Sequence, residues 1–277
     1  MCSIFEGKYL DSKYSSLGHG NYVAKLAKKY TILLVGRSQT GKSTIAYTLY
    51  NPQLSLKTEG YSQTKTPRMY GFVVQDTQKD QLLHLNLIDT PGLGEASGAD
   101  AADKSRADSD LLKLIKTFLM KELAGLNAVA FVAPINEVKI NDYKIFRTIQ
   151  EEFLGKEFSK AAMLILTHCD QYTEKDITRF LGEIKAHDSD GIVEYCQLGI
   201  LKYGAVSLDT IKNMDEEDTK VIIQRQLKRI ETYRTTLIDT FIKQATEIPV
   251  LHIQEILKNT EEEVAQKVAN VLLHHQH

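Results

Sequence analysis

Gly36-Arg37-Ser38-Gln39-Thr40-Gly41-Lys42-Ser43 (GRSQTGKS) matches the pattern G-x-x-x-x-G-K-[ST] and decides the reading of the chain. Each position answers a physical need. The two glycines let the backbone wrap closely around an anion, with N–H groups pointing inward. Lys42 supplies a point charge for the β- and γ-phosphates. Ser43 supplies a hydroxyl for Mg²⁺, and Thr44 follows it on the same turn. The loop comes after Tyr30–Val35 (YTILLV), a short apolar run rich in β-formers, and opens a helical stretch over 42–50. Strand, glycine-rich turn and helix in that order are what a phosphate cradle requires.

Outward from the loop, residues 68–77 and 81–88 read as two strands joined by a short polar turn. After residue 80 strands alternate with helices: helix 111–123, strand 129–133, helix 141–153, strand 162–166, helix 173–186, and a last strand between Ile200 and Val206. Asn21 is expected to cap a short helix through Lys29. The fold class is therefore α/β, a P-loop NTPase fold. It has a mostly parallel sheet, one antiparallel edge strand, helices on both faces and a C-terminal helical extension. Three segments follow: a lead-in over 1–29, the nucleotide-binding domain over 30–208, and helices over 209–277. Two helices are expected there, Glu216–Gln244 and about 250–274, interrupted by Pro249. The apolar positions Val221, Leu227, Ile230, Leu237 and Phe241 recur at helical spacing and fit packing on the domain or a partner surface.

Asp89-Thr90-Pro91-Gly92 ends the strand over 81–88. An aspartate there faces the phosphate loop and can hold Mg²⁺, and the Gly92 N–H can reach the γ-phosphate. The stretch after it, to Asp110, is dominated by Gly, Ala, Ser and Asp. It has little to bury and reads as a switch segment. Between the loop and this strand a second switch must offer a hydroxyl to Mg²⁺. Thr58, Ser62, Thr64 and Thr66 are the candidates, and Thr64 is chosen. Ser43, Thr64 and Asp89 are the expected metal set. Lys42, Thr64 and Gly92 are the residues expected to act on the transferred phosphate.

Thr167-His168-Cys169-Asp170 sits at the end of strand 162–166. A carboxylate there accepts from the N1–H and 2-amino edge of guanine, whereas adenine would leave Asp170 unpaired. The imidazole of His168 can stack on the base. A backbone N–H in Ala205-Val206-Ser207, with Ser207 as the named residue, is placed to bind the guanine O6.

Bulk properties narrow the setting. The 277 residues carry a formal net charge of −2, so no global basic field invites nucleic acid. The three cysteines, Cys2, Cys169 and Cys196, match no metal or redox spacing and fit a reducing, cytoplasmic compartment. No run of 18 apolar residues exists, which leaves peripheral membrane association open.

These pieces resemble the translation-factor-related GTPases. The match is closest to the avirulence-induced-gene family, also called GIMAP or immune-associated nucleotide-binding GTPases, which are relatives of septins and of Toc receptors. The resemblance rests on GRSQTGKS, on YSQTKT (Tyr61–Thr66) and on DTPGLG (Asp89–Gly94). It extends through GLNAVAFVAPI (Gly125–Ile135) and FRTIQEEFLGKEFSKAAMLILTHCD (Phe146–Asp170). His168 departs from the usual lysine of the base-reading motif, and Toc-type relatives carry T-H there. The resemblance implies a GTP/GDP switch with Mg²⁺, poor hydrolysis by the monomer, and a nucleotide-dependent homodimer. DTPGLG has no glutamine to position water, so help in trans would be needed, with Arg37 and Arg106 as candidates. Two alternatives stay open: a nucleotide-binding scaffold without turnover, and a P-loop ATPase.

Overall fold

A computed structural model describes residues 27–52, 64–76, 81–93, 110–119, 125–136, 138, 140–154, 156–188, 191–206, 215–244 and 248–249. Its centre is β1 (Lys28–Val35), whose last six residues are buried. Such a strand, buried on both faces, needs the unbroken apolar run that ends it. Next come α1 (Lys42–Tyr50), β2 (Arg68–Asp76) and β3 (Gln81–Asp89). A helix over 110–119 is α2. The order continues with β4 (Gly125–Leu126), β5 (Ala128–Pro134), α3 (Ile140–Ile149), β6 (Ala162–Thr167), α4 (Glu174–Ala186), α5 (Ile192–Tyr195) and β7 (Ile200–Lys202). The long helix α6 (Glu216–Gln244) and the two-residue β8 (Ile248–Pro249) complete it.

The main sheet has the order β2-β3-β1-β5-β6-β7. β1 runs parallel to β3 on one side and to β5 on the other, and β6 and β7 continue in the same direction. β2 alone is antiparallel and forms the edge beside β3. The fold class read from the sequence is the one observed. Because the parallel strands all end on one side, the loops after β1, β3, β6 and β7 meet along one sheet edge. In open α/β sheets that edge carries the ligand, at the strand where the winding reverses. Here that strand is β1.

Several local expectations are corrected. The helix expected to run through Lys29 does not include its last residues, because Lys28 and Lys29 pair with Leu83 and His84 of β3. Residues 21–26 lie outside the described residues. The helix expected over 141–153 stops at Ile149 and passes into a π-helical turn, Gln150–Leu154, then a 3₁₀ turn, Lys156–Ala161. The buried Ile149 and Leu154 are five residues apart, a spacing that an α-helix would rotate out of the core and a wider turn restores. Ile248 and Pro249 pair as a strand with Leu126 and Gly125, so the chain after residue 209 is not purely helical. The expected second helix, about 250–274, lies outside the described residues.

Helix α6 packs on the core. Ile230, Tyr233, Leu237 and Phe241 are buried at spacings of three and four, as an amphipathic helix demands. Val221, assigned to that face from the sequence, is 60% exposed, because it precedes the turn at which α6 meets the domain.

One buried polar pair ties α1 to the end of β7. The Tyr203 hydroxyl lies 3.1 Å from Thr48 Oγ1, which itself donates to the Thr44 carbonyl at 2.7 Å. Thr48 has one proton, so Tyr203 is the donor, and burial pushes its phenol up to about 12. Replacing Tyr203 with Phe leaves the Thr48–Thr44 bond in place. It should cost about 1 kcal/mol, read as a lower urea midpoint with an unchanged slope.

Candidate functional site

The phosphate loop is held by close backbone packing. A Cβ on Gly36 would lie 2.4 Å from the Val132 carbonyl oxygen, so only glycine fits against β5. Gly41 has φ +92° and faces Thr167. Gln39 adopts φ 60°, which closes the loop at the cost of a left-handed residue. The Thr40 hydroxyl donates to the Arg37 carbonyl at 2.9 Å, and Lys42 Nζ donates to the carbonyls of Gly36 and Arg37 at 3.0 and 2.7 Å. The ammonium is thereby fixed at the loop, beside the start of α1. That helix has no acidic residue in its first turn, so its positive end is left for an anion. Thr44 lies on that turn.

The three residues expected to hold a metal converge. Asp89 Oδ2 accepts from Ser43 Oγ at 2.7 Å and from Thr64 Oγ1 at 3.1 Å, and the two hydroxyls are 3.2 Å apart. Asp89 is buried, and its Oδ1 has no hydrogen-bond partner among the described residues. Burial pushes the carboxyl above its ordinary range. The hydrogen bonds from Ser43 and Thr64 and the charge of Lys42 oppose that rise. An orphaned carboxylate oxygen beside two hydroxyls is an oxygen donor set of the kind a hard divalent cation takes, so the residues fit Mg²⁺. Thr66 is described but takes no part in this cluster. Thr58 and Ser62 lie outside the described residues.

Gly92 packs directly on the phosphate loop. A Cβ there would come within 2.4 Å of Ser38 Cα. The Leu93 N–H donates to the Gly36 carbonyl at 3.2 Å, and Thr90 Oγ1 donates to Leu34 O at 2.7 Å. The end of β3 is thus stitched to both the loop and β1. Of the proposed switch segment, residues 94–109 lie outside the described residues, Arg106 among them. Arg37 pairs within the chain: its Nε lies 2.8 Å from Oδ1 of the fully buried Asp142 on α3. Reaching a partner's site would break that ion pair, which counts against Arg37 as a residue acting in trans.

At the end of β6 the Thr167 side chain is engaged within the chain. Its hydroxyl donates to the Thr40 carbonyl at 2.8 Å, binding the base loop to the phosphate loop. His168 takes a left-handed conformation, φ 60°, and opens the 3₁₀ turn Cys169–Gln171. The Asp170 carboxylate accepts from the Ala205 N–H at 3.2 Å. Burial pushes this carboxyl up, with the Ala205 N–H and the charges of His168 and Arg229 opposing. Ser207 lies outside the described residues, and the N–H that stands beside Asp170 is that of Ala205. Cys169 is buried, its thiol pushed up to about 11 by burial, and has no nucleophilic character.

Sequence reasoning missed three contributors. Gly204 is one: a Cβ there would lie 2.5 Å from Asp170 Oδ1, so the glycine permits the approach of the two loops. The glycine in YGAVSL was the available signal. Asp142 and Arg229 are the others, and nothing local in the sequence marks either.

The sheet order, the phosphate loop, the hydroxyl–carboxylate cluster and the Thr-His-Cys-Asp turn together define a P-loop G domain, the nucleotide-binding unit of GTP-binding proteins. The chain belongs to the AIG1 family, whose model matches residues 30–212. It is similar to Septin-1 of Drosophila melanogaster, 28% identical over 178 residues, 57% of this chain and 47% of that protein. It is also similar to GTPase Era of Campylobacter fetus subsp. fetus (strain 82-40), 25% identical over 65% of this chain and 54% of that protein. The chain spans about half the length of these curated relatives. Among solved structures, Toc33 from Arabidopsis thaliana in complex with GDP and Mg²⁺ is 20% identical. That match covers 65% of this chain and 72% of Toc33 with a TM-score of 0.47. A dimerization-deficient mutant of Toc33 gives 0.48 over the same shares.

The raised carboxyl of Asp170 has a consequence for stability. A folded pKa above the unfolded value means that the fold disfavours the ionised form. That penalty is fully present above the raised pKa and disappears as pH falls toward the unfolded value of about 3.9. Asp170→Asn should therefore raise the nucleotide-free melting temperature at neutral pH. The advantage over the parent should shrink as pH drops through the raised pKa. Melting curves from pH 7.5 to 4.5 check the sign.

Proposed function

We propose that the chain is a guanine-nucleotide switch: it binds GTP and GDP with Mg²⁺ and hydrolyses GTP slowly, faster when two copies associate through the nucleotide face. The observation that carries the guanine assignment is the adjacency of the Asp170 carboxylate and the Ala205 N–H, 3.2 Å apart, which a bound guanine would take over, its N1–H and 2-amino group donating to the carboxylate and its O6 accepting from the N–H. An acceptor and a donor side by side match the N1–H/2-amino edge and the O6 of guanine. Adenine presents an acceptor at N1 and a donor at C6, so it would oppose both groups.

Lys42 and the loop N–H groups bind the phosphates. Ser43, Thr64 and Asp89 would hold Mg²⁺, which when bound would supply positive charge against the phosphates. His168 lies against the base face, and Gly92 brings its backbone to the γ-phosphate. Slow turnover is supported by the residues beside Gly92. The Thr90 hydroxyl is committed to Leu34 O, and Leu93 is apolar and buried, so neither can orient an attacking water. The nucleotide-binding unit is assigned to 30–208, with 1–29 as a lead-in and 209–277 as an extension. The unit works in a reducing, cytoplasmic setting, consistent with the buried free thiols Cys169 and Cys196. No helix among the described residues is long and apolar enough to cross a membrane.

Competition of GTP against ATP tests the base assignment, and equal affinity overturns it. Asp170→Asn sharpens the test. Asparagine presents a donor where the carboxylate presented an acceptor, so it suits the 2-oxo group of xanthine. The variant should lose GTP affinity by about 100-fold, a loss of two hydrogen bonds to a charged acceptor, and gain affinity for xanthosine triphosphate.

Turnover per protomer, measured over a wide range of protein concentration, tests the rest. It should rise with concentration. A flat, non-zero value removes the dimer dependence, and zero throughout favours a scaffold that binds without hydrolysing.

A further inference from the structure

Helix α6 reaches the nucleotide site through two arginines. Arg229 Nη1 donates to the Asp170 carbonyl at 3.2 Å, and Nη2 donates to the Cys169 carbonyl at 3.0 Å. The same Nη2 lies 2.9 Å from the Tyr233 hydroxyl and 3.4 Å from Glu174 Oε1, so the guanidinium is itself held in place. Five residues on, Arg234 Nε donates to the Leu49 carbonyl at 2.6 Å, at the C-terminal end of α1. One helix therefore grips the main chain of the base-reading turn and the far end of the helix that starts at the phosphate loop. A planar guanidinium is suited to this, because its fork presents fixed donors to two carbonyls at once.

We propose that Arg229 is a positioning residue for guanine recognition: its fork on the Cys169 and Asp170 carbonyls sets where the Asp170 carboxylate points, so that α6 contributes to base selectivity without touching the nucleotide. The proposal rests on the guanine reading of Asp170. The turn needs an outside brace. His168 enters it in a left-handed conformation that a side chain other than glycine adopts at a cost, and the two carbonyls that follow lie away from the strand ladder. Without Arg229 the Asp170 carbonyl loses the guanidinium donor and the Cys169 carbonyl keeps the Tyr172 N–H at 3.4 Å, so the turn has freedom to rotate the carboxylate away from Ala205. Phosphate binding does not pass through the Cys169–Gln171 turn, because Lys42 and the loop are held by Gly36, Arg37 and Thr40, and the tie to the base side comes from Thr167, ahead of the turn.

The experiment uses the full chain as parent, Arg229→Ala and Arg229→Lys. Affinities are measured for GDP, for ADP, and for inorganic tripolyphosphate as a base-free probe of the loop. Arg229→Ala should weaken GDP by about tenfold and leave tripolyphosphate unchanged, so that selectivity falls while phosphate binding holds. Arg229→Lys, whose ammonium cannot bridge both carbonyls in a plane, should recover only part of the GDP affinity. Unchanged GDP binding in Arg229→Ala overturns the proposal, and so does an equal loss for GDP and tripolyphosphate, which marks a general structural role. Melting curves show whether Arg229→Ala is folded. If it is not, Arg229→Lys carries the same comparison. A parent that binds ADP as tightly as GDP defeats the guanine reading, and this proposal with it, before any variant is made.

Discussion

The hydrogen bond from Thr167 Oγ1 to the Thr40 carbonyl fixes the separation on which the whole site depends. A nucleotide has a limited reach from base to phosphate, so its two receptors must stand within a narrow range of distance. Here one receptor follows β1 and the other follows β6, with β5 between them. The sheet sets the coarse spacing through its ladder. The Thr167 hydroxyl, with the Gly41 backbone packed against the same side chain, sets the fine spacing. Both partners are buried, so the bond exchanges little with water and its geometry is stiff. The glycines complete the constraint. Gly36 allows the loop to lie on β5, Gly92 allows the end of β3 to lie on the loop, and Gly204 allows the β7 loop to lie on Asp170. At Gly36 and Gly92 it is a neighbouring backbone that excludes a side chain, and at Gly204 it is the Asp170 side chain itself.

That compactness stores unfavourable electrostatics. Asp89 and Asp170 are both carboxyls whose burial outweighs their hydrogen bonds, and each is pushed above its usual range. A fold selected only for stability would replace them with neutral residues. On the proposed function, a ligand would supply what the protein lacks there: a cation for Asp89 and hydrogen-bond donors for Asp170. The phosphate loop has the opposite sign. Lys42 lies against carbonyls at an uncapped helix start, a positive site matched to phosphate. On the proposed function the site is divided along its length into a cationic cradle, a corner for a metal and an acceptor–donor pair for a base.

What the sequence revealed and what it hid divide along the same physical line. The alternation of strands and helices, the phosphate loop and the aspartate after β3 were legible because each depends on local pattern or on short spacing. Thr64 was singled out from four hydroxyl residues by motif alone, and its approach to Ser43 and Asp89 is a long-range contact that no local pattern specifies. The π-helical turn after Ile149 was illegible at first reading, although the five-residue gap between Ile149 and Leu154 records it. Arg37 was read as a candidate to act in trans because its partner, Asp142, lies 105 positions away and no local pattern marks the pair. Arg229 was hidden for the same reason. Its helical face was read correctly as amphipathic, but the arginine sits at the border of that face, where periodicity does not distinguish a solvated charge from a contact.

The two arginines of α6 alter what the C-terminal helix means. An extension that packs only through Ile230, Leu237 and Phe241 would stabilise the domain without regard to what the site holds. Contacts made to main-chain carbonyls of the base turn and of α1 are different, since they belong to the elements that a nucleotide also orders. Any ligand that tightens the turn around Asp170 must strengthen the grip of Arg229 on it. By reciprocity, docking of α6 must tighten the ligand by the same factor. The coupling needs no hinge and no large motion. It follows from two groups, a base and a guanidinium, holding opposite sides of one three-residue turn.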